Sequence, residues 1–104
     1  MVPIATVTTW KSAPGERDEL LKVFAMAKII HERHGGRVRM WAVGAGGTSF
    51  GQLLYMVEHD DYATYAAWQA SLAMDPEWHE LAPVLFNESP GTVLSSQMLS
   101  ELIF

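Results

Sequence analysis

The sequence contains no cysteine, so acid–base or nucleophilic chemistry falls to its four histidines and to hydroxyl and carboxyl groups. An imidazole titrates near neutral pH, and burial or a neighbouring charge retunes it. His31 is the sharpest candidate. At 100° per residue, Leu20, Phe24, Ala27 and His31 share one stripe of a helical segment, flanked by Val23, Ile30 and His34. A histidine in the middle of an apolar face has the surroundings of a general base. The competing reading is a core histidine bonded to a neighbouring carbonyl or hydroxyl. His34, one turn on, reads as a residue at the helix C-terminus, where the dipole favours it. His59 closes an apolar run beside Asp60 and Asp61. It reads as a substrate-orienting residue at a cavity mouth or, by preference, as part of a solvated strand-to-helix junction. His79 follows Trp78 and reads as exposed. There is no His-x-x-x-His with a third carboxylate ligand, so no zinc site is expected.

Trp10, Trp41, Tyr55, Tyr62, Tyr65 and Trp78 supply rings. Such walls hold flat aromatic or polyketide molecules, with hydroxyl and indole N–H groups fixing orientation. The same rings serve equally as plain core or as a subunit interface. A dry pocket for cofactor-free oxygenation could draw on His31 as base with Thr8, Trp10, Tyr65 and Gln69 around it. The expected substrate-binding set is Thr8, Trp10, Trp41, Tyr55, His59, Tyr62, Tyr65, Gln69 and Trp78. Thr6, Thr8, Ser95 and Ser96 are polar residues on otherwise apolar strands, and either line a cavity or bond within the sheet. Gly44-Ala45-Gly46-Gly47 lacks the strand–turn–helix setting and the Lys-Ser/Thr that grip phosphates, so it reads as a hairpin loop.

These residues must be positioned by a small set of elements. Ile4 to Lys11 is rich in β-branched residues and reads as a strand, with Ile4, Thr6, Thr8 and Trp10 on one face and Ala5, Val7 and Thr9 on the other. Ser12-Ala13-Pro14-Gly15 opens a helix whose first turns carry Glu16, Asp18 and Glu19, and Gly35-Gly36 stops it. Arg37 to Val43 reads as a second strand; its Arg37 and Arg39 suit a sheet edge, where charge discourages further pairing. Gln52 to Glu58 reads as a third strand, apolar on both faces. Asp60 is the expected cap of a second helix presenting Tyr62, Tyr65, Ala66, Gln69, Leu72 and Ala73, with Trp68 off that face. Asp75-Pro76 restarts a helical turn, and Pro83 is expected to kink or end it. Asn87 to Gly91 is a turn, and Thr92 to Ile103 a final strand with Val93, Ser95, Gln97 and Leu99 on one side.

The order β-α-β-β-α-β is that of a ferredoxin-like α+β fold, a four-stranded antiparallel sheet with its helices on one face. The 104 residues fit one domain spanning 1–104. Of these, 49% are apolar and only 18% charged, against about 25% charged in an ordinary soluble domain. The first and third strands do not alternate apolar with polar, as a half-solvated sheet does. A homodimer joined through the open sheet faces would cover the surplus. The net charge of −5 argues against a nucleic-acid or anionic-membrane partner. No run approaches the ~20 apolar residues of a membrane span, and no leader pattern opens the chain, so a cytoplasmic location is expected.

The Pro14-Gly15-Glu16 helix opening, the Gly-rich hairpin, the strand ending in Glu58-His59-Asp60-Asp61-Tyr62 and the Asp75-Pro76-Glu77-Trp78 restart together resemble the dimeric α/β-barrel superfamily, in its NIPSNAP-like and antibiotic-biosynthesis-monooxygenase-like branches. The resemblance covers nearly the whole chain, in pattern rather than in a catalytic signature. It implies two sheets pairing face to face into a shared barrel, and a ligand cavity in each subunit between helices and sheet. The functions it implies are diverse: cofactor-free oxygenation of aromatic polyketides, haem degradation, cyclisation, isomerisation, and none known. Fold likeness locates a site without naming a reaction. Two expectations follow. One is a cofactor-independent enzyme, monooxygenase-like or cyclase-like, acting on a small, largely apolar aromatic molecule with His31 as general base. The other is a non-enzymatic dimeric ligand-binding or accessory protein. No cofactor is expected; haem with a histidine axial ligand is an alternative that no attachment motif supports.

Overall fold

The computed structural model describes residues 2–87 and 90–102. Four strands and three helices follow one another as β1 (Ile4–Ser12), α1 (Arg17–Arg33), β2 (Arg37–Ala42), β3 (Leu53–His59), α2 (Tyr62–Ala73), α3 (Pro76–Phe86) and β4 (Gly91–Ser100). A single 3-10 turn, Gly47–Ser49, sits in the Gly-rich loop between β2 and β3. All strand pairs are antiparallel and the sheet order is β2-β3-β1-β4, a ferredoxin-like α+β arrangement. The two arginines of β2 therefore lie on an edge. The last strand, expected to run to Ile103, ends at Ser100, and Glu101 and Leu102 lie beyond it; Ile103 itself, and Glu88-Ser89 of the preceding turn, fall outside the described residues.

Registers put Ile4, Thr6, Thr8 and Trp10 of β1 opposite His59, Val57, Tyr55 and Leu53 of β3. This is the helix-covered side, and Ile4, Trp10, Leu53, Tyr55, Val57 and His59 are all buried on it. Leu20, Phe24, Ala27, Ile30 and His31 of α1 are buried against it. Trp10 meets Phe24 edge-on at 5.4 Å between ring centroids, and Phe24 meets Tyr55 at 5.3 Å. These rings anchor α1 to the centre of the sheet.

Glycines end α1 and clear a path for α2. Gly35 takes a left-handed φ of 99°, and its N–H and that of Gly36 bond back to the carbonyls of Glu32 and His31. A Cβ on Gly36 would lie 2.6 Å from Val57 Cγ1 and 3.0 Å from the Trp68 indole nitrogen. Only a glycine lets α2 approach this closely.

Several sequence expectations are corrected. Asp61, not Asp60, caps α2: its Oδ1 accepts from both Thr64 N–H and Thr64 hydroxyl at 2.8 Å. β3 runs one residue further than expected, so the cap moves on by one, and Asp60 instead pairs with Arg37 at 2.8 Å. The buried face of α2 is Tyr65, Trp68 and Leu72, while Tyr62, Ala66, Gln69 and Ala73 are exposed. Pro83 does not end α3, which continues to Phe86. Pro83 lies on the exposed side of the helix, and the Asn87 N–H bonds the Pro83 carbonyl beyond it. In β4 the pairing slips between Thr9 and Trp10, so Thr9 faces Ser95 while Trp10 faces Val93. The bulge at Leu94 puts Val93 on the same side as Ser96, opposite to simple alternation.

The other sheet face carries no helix. It presents Arg37, Arg39 and Trp41 of β2 beside Leu54, Met56 and Glu58 of β3, then Ala5, Val7 and Thr9, then Gln97 and Leu99. Trp41 is 53% exposed there and Leu99 43%.

Candidate functional site

A cavity of about 310 Å³ lies between the helices and the sheet. Its floor is Thr6, Thr8 and Trp10 of β1, Tyr55 and Val57 of β3 and Ser96 of β4; its roof is Phe24, Ala27 and His31 of α1, Tyr65, Trp68, Gln69 and Leu72 of α2, and Trp78, Leu85 and Phe86 of α3. None of these side chains is an acid, a lysine or an arginine. Gln69, Phe86 and Ser96 are exposed and mark the mouth.

His31 sits on the inner wall. Its Nδ1 lies 2.7 Å from the Tyr55 hydroxyl, and its ring is boxed by Trp78 at 4.6 Å, Trp68 at 5.2 Å and Tyr55 at 5.5 Å between centroids. Burial lowers its pKa from 6.5 to about 4, helped by repulsion from His34 and His59. The ring is neutral at physiological pH. Burial likewise pushes the Tyr55 hydroxyl well above its ordinary value, with the Glu32 charge adding to the effect. Both partners of this hydrogen bond are thus held uncharged.

Two of the indoles are committed inside the protein. Trp10 Nε1 donates to Thr8 Oγ1 at 2.7 Å, and that hydroxyl donates in turn to the Tyr55 carbonyl at 3.4 Å. Trp68 Nε1 donates to the His31 carbonyl at 3.0 Å, which fixes α2 to the end of α1. These N–H groups orient the walls rather than a ligand.

The Asp75-Pro76-Glu77-Trp78 restart sets the third side of the His31 box. Asp75 is buried and caps α3 through Oδ1, which accepts from Glu77 N–H at 2.8 Å and Trp78 N–H at 3.4 Å. Its Oδ2 accepts from His34 Nε2 at 2.6 Å and Arg33 at 2.7 Å. The His34 and Arg33 hydrogen bonds hold its carboxyl below the usual carboxylate range. One carboxylate so ties the last turn of α1 to the first turn of α3, and Trp78 is brought against His31. His34 sits at the end of α1, and its ring serves this tie.

Of the residues singled out in the sequence, His31, Thr8, Trp10, Tyr55, Tyr65, Gln69 and Trp78 come together around the cavity. Trp41, His59 and Tyr62 do not. Trp41 is on the uncovered sheet face, because it faces Leu54 across the ladder. Tyr62 is 62% exposed at the start of α2, its ring tilted against that of Tyr65 at 5.8 Å between centroids. His59 is neither at the mouth nor solvated: it is fully buried behind Trp68 and Tyr65, at 4.7 and 5.3 Å. Among the described residues neither of its ring nitrogens has a hydrogen-bond partner. Burial lowers its pKa, with Arg37 adding to the effect and Asp60 opposing it. Trp68 was missed as a cavity residue, although its spacing from Tyr65 and Leu72 is helical. Among the described residues no group of three or more metal-ligating side chains comes together, and no helix is long and apolar enough to cross a membrane.

This fold and cavity define a ferredoxin-like α+β protein with a pocket under its helices whose described lining is rich in rings and carries no acid, lysine or arginine. The NIPSNAP family model matches residues 6–98, and the chain belongs to that family. No curated protein matches it. Among solved structures, a NIPSNAP family protein from Agrobacterium tumefaciens is similar with a TM-score of 0.72 at 20% identity, over 96% of this chain and 91% of that one. A NIPSNAP domain protein from Burkholderia xenovorans gives 0.73 at 21% identity, over 97% and 94%. SnoaB, a cofactor-independent oxygenase from Streptomyces nogalater, gives 0.65 at 15% identity, over 100% and 97%. At these identities the likeness is one of fold.

Proposed function

We propose that the protein is a cofactor-independent enzyme acting on a small, uncharged, largely apolar aromatic or polyketide-like molecule, by oxygenation or cyclisation, in the cavity between helices and sheet. The observation that carries this reading is the arrangement of His31 and Tyr55: a buried, hydrogen-bonded polar pair lining a cavity walled mainly by rings and aliphatic groups, with Thr6, Thr8, Gln69 and Ser96 as its other polar residues. A largely apolar pocket of this size suits a small flat ligand. The fold it shares with SnoaB supports the same reading. His31 is the group that would act on the ligand; Thr8, Trp10, Tyr55, Tyr65, Gln69 and Trp78 would hold it. The direct test is oxygen uptake and product formation with a panel of aromatic polyketides, comparing the parent with His31→Ala. Turnover lost in the variant supports the proposal; turnover that survives it, or no turnover on any member, contradicts it.

One observation favours a second reading, a non-enzymatic ligand-binding or accessory protein. With a pKa of about 4, His31 is a weak base at neutral pH. Binding of the panel without turnover would support this reading.

The working unit of either is a homodimer joined through the uncovered sheet face, in the manner of a shared α/β barrel. Support comes from the exposed Trp41 and Leu99 on that face beside Leu54 and Met56. Light scattering of the parent and of Trp41→Glu tests it: a dimer that becomes monomeric is expected, and a monomeric parent contradicts it.

A further inference from the structure

We propose that His31 works as a neutral hydrogen-bond donor through Nε2–H, held in that tautomer by the Tyr55 hydroxyl, and that the cavity selects planar aromatic ketones whose carbonyl oxygen it polarises. This rests on the reading of the cavity as a ligand site and replaces proton abstraction by His31 with carbonyl activation.

The geometry starts from the 2.7 Å contact between His31 Nδ1 and Tyr55 Oη. Either atom could donate. A phenol is a good donor and a poor acceptor, whereas the bare ring nitrogen of imidazole is a strong acceptor, so the hydroxyl donates and Nδ1 accepts. In a neutral imidazole the one proton then resides on Nε2. The ring enters the cavity as a donor rather than as a base.

The remaining lining narrows the ligand. The indole N–H groups of Trp10 and Trp68 are spent on Thr8 Oγ1 and the His31 carbonyl, so they offer nothing to a substrate oxygen. Among the described residues no charged side chain lines the cavity, so a carboxylate or sulfonate would lose its hydration without a counter-charge from them. A carbonyl oxygen matches an Nε2–H donor, and flat rings match the walls. When negative charge develops on that oxygen, a preorganised neutral donor stabilises it without first having to shed a proton. Burial keeps the ring from becoming an imidazolium, which preserves this role across the neutral range. Tyr55 is a positioning residue, acting through His31.

The test uses full-length protein labelled with 15N-histidine, whose long-range 15N–1H correlations report the tautomer of each ring. The parent is expected to show His31 protonated at Nε2, and Tyr55→Phe a mixture of tautomers. Three probes follow: 9-fluorenone, its hydrocarbon fluorene, and 9-fluorenone-2-carboxylate. Fluorenone is expected to bind about tenfold more tightly than fluorene, the scale of one net hydrogen bond. The carboxylate is expected to bind more weakly than fluorenone by at least that factor, and Tyr55→Phe to narrow the fluorenone–fluorene gap. An Nδ1-protonated His31 in the parent, or equal binding of fluorenone and fluorene, overturns the proposal while leaving the cavity a ligand site. Failure of all three probes to bind, with the Nε2–H signature present, overturns the ligand reading itself and with it the carbonyl selectivity. The parent tautomer decides the first point even if Tyr55→Phe does not fold.

Discussion

Lowering the pH from 7 to 4 destabilises this protein through His31 by an amount the structure sets. In the folded chain the ring has a pKa of about 4, and in the unfolded chain the ordinary value of 6.5. Between those limits the unfolded chain binds the proton and the folded chain does not, so stability falls as pH falls through the window. The contribution is fully present above about pH 6.5 and lost once pH reaches about 4. At about 1.4 kcal/mol per pH unit, the loss amounts to about 3 kcal/mol, a sizeable part of the stability of a domain this small. The perturbation is His31→Asn, which keeps a hydrogen-bonding atom near the position of Nδ1 and removes the titration. Urea unfolding at half-unit steps from pH 7 to 4.5 gives both stability curves, and their difference isolates His31 from His59 and the carboxylates. The gap between parent and variant is expected to change steadily, with the parent losing ground as the solution is acidified. Parallel curves, or an NMR titration of His31 with its midpoint near 6.5, would refute the reasoning.

Three further outcomes follow from particular contacts. His59→Phe replaces a buried ring with two unpartnered nitrogens by an apolar ring of similar shape, so its urea midpoint is expected to hold or to rise by up to about 2 kcal/mol in stability; a loss above about 1 kcal/mol would show that the imidazole has a partner. Gly36→Ala drives a methyl into Val57 and the Trp68 indole, and an overpacking cost of about 1–3 kcal/mol is expected in thermal unfolding; an unchanged Tm would mean that α2 does not approach as described. Asp75→Ala cuts the tie between α1 and α3, so a lower Tm and a shifted tryptophan emission are expected, both larger than for Asp61→Ala, whose carboxyl caps α2 alone. Equal effects of the two substitutions would count against the tie.

Much of this arrangement was legible because its signals are local. The stripe Leu20, Phe24, Ala27, His31 stands out against charged neighbours, so the buried face of α1 and the place of His31 could be read directly. Asp75-Pro76 announced α3 by capping chemistry alone. The helix α2 was harder, because Ala63, Ala66, Ala67, Ala70 and Ala73 make it weakly apolar all round. Periodicity then lacks contrast, and the face is decided by a distant contact, Trp68 with the His31 carbonyl. The same cause hid His59, whose burial depends on Trp68 and Tyr65 folding over the end of β3. Two adjacent aspartates left the α2 cap open to a shift of one residue. The bulge in β4 is a property of its pairing with β1, and Val93-Leu94-Ser95 gives no local sign of it.

A small uncharged aromatic ligand is expected to occupy the helix–sheet cavity with its polar atom at His31. A crystal structure of the protein soaked with 9-fluorenone tests it most directly. The tricycle is expected between Trp78, Tyr65 and Trp10, with its oxygen within about 2.7–3.2 Å of His31 Nε2. A ligand bound only on the uncovered sheet face, or a cavity closed by side chains with no room for it, would overturn this placement.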